Sequence, residues 1–190
     1  MSTYNEYKVD NICFFLYICF RGESMKTKDI AYIALMAASI SIIAPLSIPV
    51  GEIPISLATF MIMFASSWLG WKKGVMATAL YILLGCIGLP VFAGYKSGFV
   101  TLFGMTGGYI IGYLALAFFT GLKVEKSWFK IINMILGTIV LYLIGTIWFM
   151  FLTKMDLMAS LMACVIPFLI GDALKIICAY LLTLKLKGVQ

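Results

Sequence analysis

No histidine occurs in the 190-residue chain, which removes the imidazole of most zinc sites, of the Ser-His-Asp triad and of many proton relays. Charge is scarce too. Asp, Glu, Lys and Arg make up 12% of the residues, about half the share of an ordinary soluble domain. There is no Walker A phosphate loop, so the chain is not expected to be an ATPase of that class. Low-complexity stretches are missing. The five cysteines, Cys13, Cys19, Cys86, Cys164 and Cys178, show no C-x-x-C spacing, and three lie inside apolar runs. They read as small hydrophobes in a membrane bundle, and neither a metal nor a cofactor is expected.

Apolar residues are abundant instead, at 63% of the chain against roughly 45–50% in an average soluble domain. At about 20 residues per crossing, six spans would consume about 120 residues and leave no room for a second domain. The formal charge is +6, but the 14 Lys and Arg residues do not gather into one stripe. They are read as orientation signals in a lipid bilayer, with no nucleic acid as partner.

Residues 1–24 mix polar residues with one short apolar run, Ile12–Phe20, which is too short to span and ends at Arg21. A signal peptide starts basic and closes on a small-residue cleavage site, whereas this segment carries Glu6, Lys8 and Asp10. Met25-Lys-Thr-Lys-Asp reads like a natural beginning. Residues 1–24 are therefore expected to be a dispensable extension or a misassigned start, and 25–190 the membrane-embedded domain.

Six apolar runs follow: Ile30–Ile48, Ile53–Leu69, Gly74–Leu89, Phe99–Leu122, Ile131–Leu152 and Leu157–Leu184. Each is expected to be a helix, because backbone facing lipid must satisfy its own hydrogen bonds. The third should stop within Gly85-Cys-Ile-Gly-Leu-Pro90. Lys26, Lys28, Lys72, Lys73, Lys123, Lys126, Lys130, Lys185 and Lys187 all fall on one side of this scheme, against Lys96 and Lys154 on the other. Basic residues stay cytoplasmic. The expected fold is an all-α integral membrane protein of six transmembrane helices with both termini cytoplasmic. The loops Pro49–Pro54, Pro90–Gly98 and Thr153–Asp156 then face outward.

The sixth run contains Pro167-Phe-Leu-Ile-Gly-Asp172-Ala-Leu-Lys175, which puts a carboxylate and an ammonium on one helix face. Each costs roughly 2.5–3.5 kcal/mol at the centre of a membrane helix on insertion scales, so such a pair points to a functional cavity. A purely structural pair is disfavoured, since apolar residues replace one at little cost. Together the two groups suit a polar head that offers both N–H and C=O, as a urea does. The glycine-rich stretch Gly85–Gly98 is expected to supply a binding lid over Gly94–Gly98, where Tyr95 is not placed for packing and Lys96 suits an anion. For Gly104, Gly107, Gly108 and Gly112, close helix packing and ligand contact stand about even. Ala34 and Ala38 form an A-x-x-x-A face that fits either an internal helix or a partner equally well.

The order Ile53-Pro-Ile-Ser-Leu-Ala-Thr-Phe60, Gly88-Leu-Pro-Val-Phe-Ala-Gly94, Gly104-Met-Thr-Gly-Gly-Tyr-Ile-Ile-Gly112 and Ile166-Pro-Phe-Leu-Ile-Gly-Asp-Ala-Leu-Lys175 resembles the BioY family. Its members are the biotin-specific S components of energy-coupling factor (ECF) transporters. The resemblance covers about residues 25–187. It implies a non-enzymatic, multi-pass protein of the bacterial plasma membrane that captures biotin from outside. It also implies work with a transmembrane coupling subunit and two ABC ATPases. By motif, Asp172 and Lys175 would contact the polar part of biotin, Phe92, Gly94, Tyr95, Lys96 and Gly98 would belong to the closing loop, and Ala34 and Ala38 would face the coupling subunit. Which of Lys175 and Lys96 meets the carboxylate stays open. Ala58, Met105 and Ile170 depart from the family pattern, where Gln, Pro and Pro are common. The alternatives are an S component for another vitamin such as thiamine or riboflavin, or a structural membrane protein. An intramembrane enzyme with Asp172 as general base is disfavoured by the adjacent ammonium.

Overall fold

The computed structural model describes residues 26–48, 53–124 and 126–187. The extension 1–24 and residues 49–52 of the loop expected to face outward lie outside them. Packing divides the chain into two units, Met1–Ala31 and Tyr32–Gln190. Of the first, residues 26–31 are described; there the backbone N–H groups of Asp29 and Ile30 both donate to the Lys26 carbonyl, opening a helical turn.

Among the described residues eight α-helices occur in place of six uninterrupted runs. They are α1 (Thr27–Ile43), α2 (Ala58–Leu69), α3 (Trp71–Cys86), α4 (Phe99–Phe103), α5 (Gly107–Thr120), α6 (Phe129–Thr153), α7 (Leu157–Cys164) and α8 (Ile166–Lys187). The fourth and sixth runs are each broken in two. In the fourth, Gly104 turns extended after α4, and the Trp148 indole N–H donates to the Gly104 carbonyl at 3.0 Å, satisfying the acceptor that the break exposes. In the sixth, Pro167 has no N–H to continue a ladder and crowds the preceding turn. The chain breaks at Val165, leaving the proline in the first turn of α8, where its missing donor costs nothing.

The first and second runs meet in a short antiparallel hairpin, β1 (Ser47–Ile48) and β2 (Ile55–Ser56), with Ser47 opposite Ser56 and Ile48 opposite Ile55. As the Gly85–Pro90 segment predicts, α3 ends at Cys86, and Gly88 follows with a φ of 111°. Helices α5 and α6 form the most extensive pair, α2 packs on α8, α3 and α5, and α7 bridges α6 and α8. Gly108 presses its backbone against Trp148 and the Ile144 carbonyl, so a side chain there would collide. Gly107 and Gly112 likewise sit against neighbouring chain, at Leu102 and Leu141. Close packing is what these glycines provide.

Among the described residues, two helical stretches are long and apolar enough to cross a bilayer, Phe129–Thr153 with mean hydropathy 2.2 and Ile166–Leu186 with 1.7. Helix α8 is built inside out relative to a helix in water. Ile170, Leu174, Ile177 and Leu181 are exposed, from 53% to 78%, while Phe168, Asp172, Lys175, Ala179 and Thr183 are buried. On α6, Leu143, Ile147 and Phe151 also face outward. Water does not tolerate so broad an apolar surface, whereas lipid does.

Candidate functional site

The inward stripe of α8 opens onto a cavity whose empty space, counting the open solvent at its mouth, is about 600 Å³. Tyr81, Phe92, Tyr109, Tyr113, Tyr142 and Phe168 line its walls, and Ser56, Thr59, Asp172 and Lys175 give it one polar end. An apolar, aromatic enclosure with a few convergent polar groups is the usual build of a ligand pocket.

The polar end is a network. Lys175 Nζ donates to Asp172 Oδ1 at 2.8 Å, to the Ser56 carbonyl at 2.8 Å and to Thr59 Oγ1 at 3.2 Å. An ammonium carries three hydrogens, so all three are engaged. Asp172 is 4% and Lys175 9% exposed, and at such burial a charge persists only when paired and hydrogen-bonded. The other carboxylate oxygen, Asp172 Oδ2, accepts from the Tyr142 hydroxyl at 2.5 Å. Ser56 is fixed in turn: its hydroxyl donates to the Ala44 carbonyl and accepts from the Ala58 N–H. The sequence singles out Asp172 and Lys175, but not Tyr142, Ser56 or Thr59. Ser56 and Thr59 lie inside one of the family motifs, which was the available signal, whereas Tyr142 carries none.

Phe92 is 1% exposed and meets Tyr81 edge to face, with centroids 5.8 Å apart. Its ring lies directly on Gly85, leaving no space for a Cβ at that position. Beyond Phe92 and Ala93 the segment leaves the cavity wall. It is pinned by the Phe92 N–H to the Lys96 carbonyl, the Gly94 N–H to the Pro45 carbonyl and the Gly98 N–H to the Gly85 carbonyl. Gly94 and Tyr95 both take left-handed conformations, with φ of 70° and 59°, a strained choice for Tyr95 that the pins enforce. The structure thus brings Phe92, Asp172 and Lys175 together at the cavity. Gly94, Tyr95 and Lys96 are exposed on the outer side of the segment, Gly98 is half-exposed, and none of these four lines the wall. Ala34 and Ala38 are exposed on α1, and Ala37 between them is buried. No group of three or more His, Cys, Asp or Glu residues that could hold a metal occurs among the described residues.

An outward apolar surface around a cavity closed at one end by a hydrogen-bonded ion pair defines a helical membrane protein that binds a small molecule with a polar head. Residues 21–189 match the profile of the BioY family, and the chain belongs to that family. It is 34% identical over 167 residues to the probable biotin transporter BioY of Pyrococcus horikoshii, covering 86% of this chain and 99% of that protein. With the biotin transporter BioY of Thermotoga maritima it shares 35% identity over 160 residues, 82% of this chain and 94% of that one. The fold is similar to the crystal structure of the S component for biotin from an ECF-type ABC transporter, with a TM-score of 0.80 and 30% identity over 87% of this chain and 95% of the other.

Proposed function

We propose that this chain is the biotin-binding S component of an ECF-type ABC transporter, taking biotin from outside the cell for import. The observation that carries the reading is the Asp172–Lys175 pair on the inward stripe of α8, lining a cavity with aromatic walls. Biotin joins a ureido ring, with two N–H donors and one C=O acceptor, to an apolar thioether ring and a carboxylate tail. Asp172 accepts from one ureido N–H, the aromatic walls cover the bicycle, and the segment Phe92–Gly98 closes over it. Because every hydrogen of Lys175 is engaged within the protein, Lys96 is the better match for the carboxylate, which then points to the mouth.

Six crossings follow if α1, α2, α3, α5, α6 and α8 span, with α4 and α7 as short pieces at the break points. The excess of lysines on one side of this scheme supports cytoplasmic termini. Residues 25–190 then form the binding domain in a bacterial plasma membrane. A transmembrane coupling subunit and two ABC ATPases supply the energy, since the chain carries no Walker A loop. The purified chain is expected to bind biotin and to ignore thiamine and riboflavin in competition. Displacement of biotin by either vitamin would overturn the choice of ligand. Membranes with the chain and its coupling module should take up biotin, and strong uptake by the chain alone in proteoliposomes would refute the S-component role.

Ala34 and Ala38 offer the exposed small-residue face that a partner helix needs for close approach. Ala34→Leu combined with Ala38→Leu is expected to leave biotin affinity within about twofold of wild type and to cut module-dependent uptake by about tenfold or more, as a blocked close helix contact requires. Undiminished uptake by the double variant would move the partner surface elsewhere on the chain.

A further inference from the structure

We infer that Tyr142 is a positioning residue for ligand selection: its hydroxyl, acting through Asp172, aims the one carboxylate that receives the ureido N–H. The inference rests on the functional reading above and concerns a residue that no sequence motif marks. An ionised carboxylate offers about four acceptor directions on its two oxygens. Lys175 takes one on Oδ1 and Tyr142 one on Oδ2. With one donor on each oxygen the carboxylate plane is fixed, and a lone pair is left free on each. Lys175 holds Oδ1 only, and the Tyr142 hydroxyl is the second hold, on Oδ2.

Lys175 and Tyr142 approach from different directions. The lysine is on the same helix as Asp172 and is tied back to β2 and α2, whereas Tyr142 comes from α6. The carboxylate is thus held between two walls of the cavity that Tyr142, Asp172 and Lys175 all line. A head lacking an N–H donor meets the two remaining lone pairs with nothing to give them, so the arrangement rejects such a head rather than merely failing to attract it. Selection at this end of the pocket is for a donor, and Tyr142 sets where that donor must be.

The test pairs one protein change with one ligand change. Tyr142→Phe removes the hydroxyl and keeps the ring; a cyclic carbamate analogue of biotin, with one ureido N–H replaced by a ring oxygen, removes the donor and keeps the shape. Both isomers of the analogue are measured by equilibrium binding against wild-type and Tyr142→Phe chains. Tyr142→Phe is expected to weaken biotin binding about tenfold, the worth of one strong hydrogen bond. For one isomer it should also shrink the penalty for losing the N–H by at least about threefold, because an unaimed carboxylate discriminates less. Partial misfolding of the variant lowers the active fraction for both ligands alike and cancels in that ratio. Penalties that simply multiply for both isomers, or an unchanged biotin affinity, overturn the inference. Failure of the wild-type chain to bind biotin at all overturns the functional reading and this inference together.

Discussion

Asp172→Asn is expected to abolish high-affinity biotin binding while the protein still inserts and folds. Lys175 and Tyr142 donate to different carboxylate oxygens, and an amide replaces one of these by NH2, so one of the two donors loses its acceptor. Its NH2 group then confronts the remaining donor and also meets the ureido N–H with a donor of its own. The Lys175 ammonium keeps the Ser56 carbonyl and Thr59 Oγ1 but loses its counter-charge in a site 9% exposed. Breaking a buried pair in this way costs about 3–5 kcal/mol, which corresponds to roughly a hundredfold to several-thousandfold in affinity if binding bears the loss. Isothermal titration of the purified variant checks this, and affinity within about threefold of wild type would remove Asp172 from the site.

Lys175→Met should lose binding to a similar extent and lower thermal stability as well. Methionine fills much the same volume, but the Asp172 carboxylate is left with Tyr142 alone, and the Ser56 carbonyl and Thr59 hydroxyl lose their shared donor. That donor links α8 to β2 and to α2, across 119 and 116 residues of sequence respectively. Hydrogen bonds to charged groups are worth about 1.5–3 kcal/mol each, so a lowered melting temperature is expected in the ligand-free protein. The double variant Asp172→Leu with Lys175→Met separates structure from function. Replacing both members of a buried pair by apolar residues is often neutral or stabilising, so the melting temperature should recover towards wild type while binding stays absent. Recovery of binding in the double variant would show that the pair serves packing alone.

Particular residues show how far the sequence carries. Asp172 and Lys175 are legible because two opposite charges inside an apolar run have few inexpensive explanations. The end of α3 at Cys86 is legible from the glycines and proline beyond it. The breaks at Gly104 and Val165 had local signals, a glycine pair and Pro167, yet the apolar runs pass straight through both, and hydropathy alone reads them as continuous. Whether Gly108 and Gly112 serve packing or ligand contact depends on α6, above all on Trp148 and Leu141, which lie more than 25 residues away in the chain. The outward exposure of Tyr95 and Lys96 and the inward burial of Phe92 follow from a bridge between Phe92 and Lys96 and from the room left by Gly85. Neither is visible in a string of residue types.

By itself the sequence determined the solvent, the family and the two charges, since composition, motif order and the expense of ions in hydrocarbon are all one-dimensional properties. Only the tertiary structure decided which face of each helix is inside. Lipid and protein interior are both apolar, so hydrophobic periodicity does not tell them apart in a membrane as it does in water. Only packing made Tyr142, Ser56 and Thr59 partners of the ion pair, because a buried hydrogen bond is set by which helices touch and not by how near two residues stand along the chain.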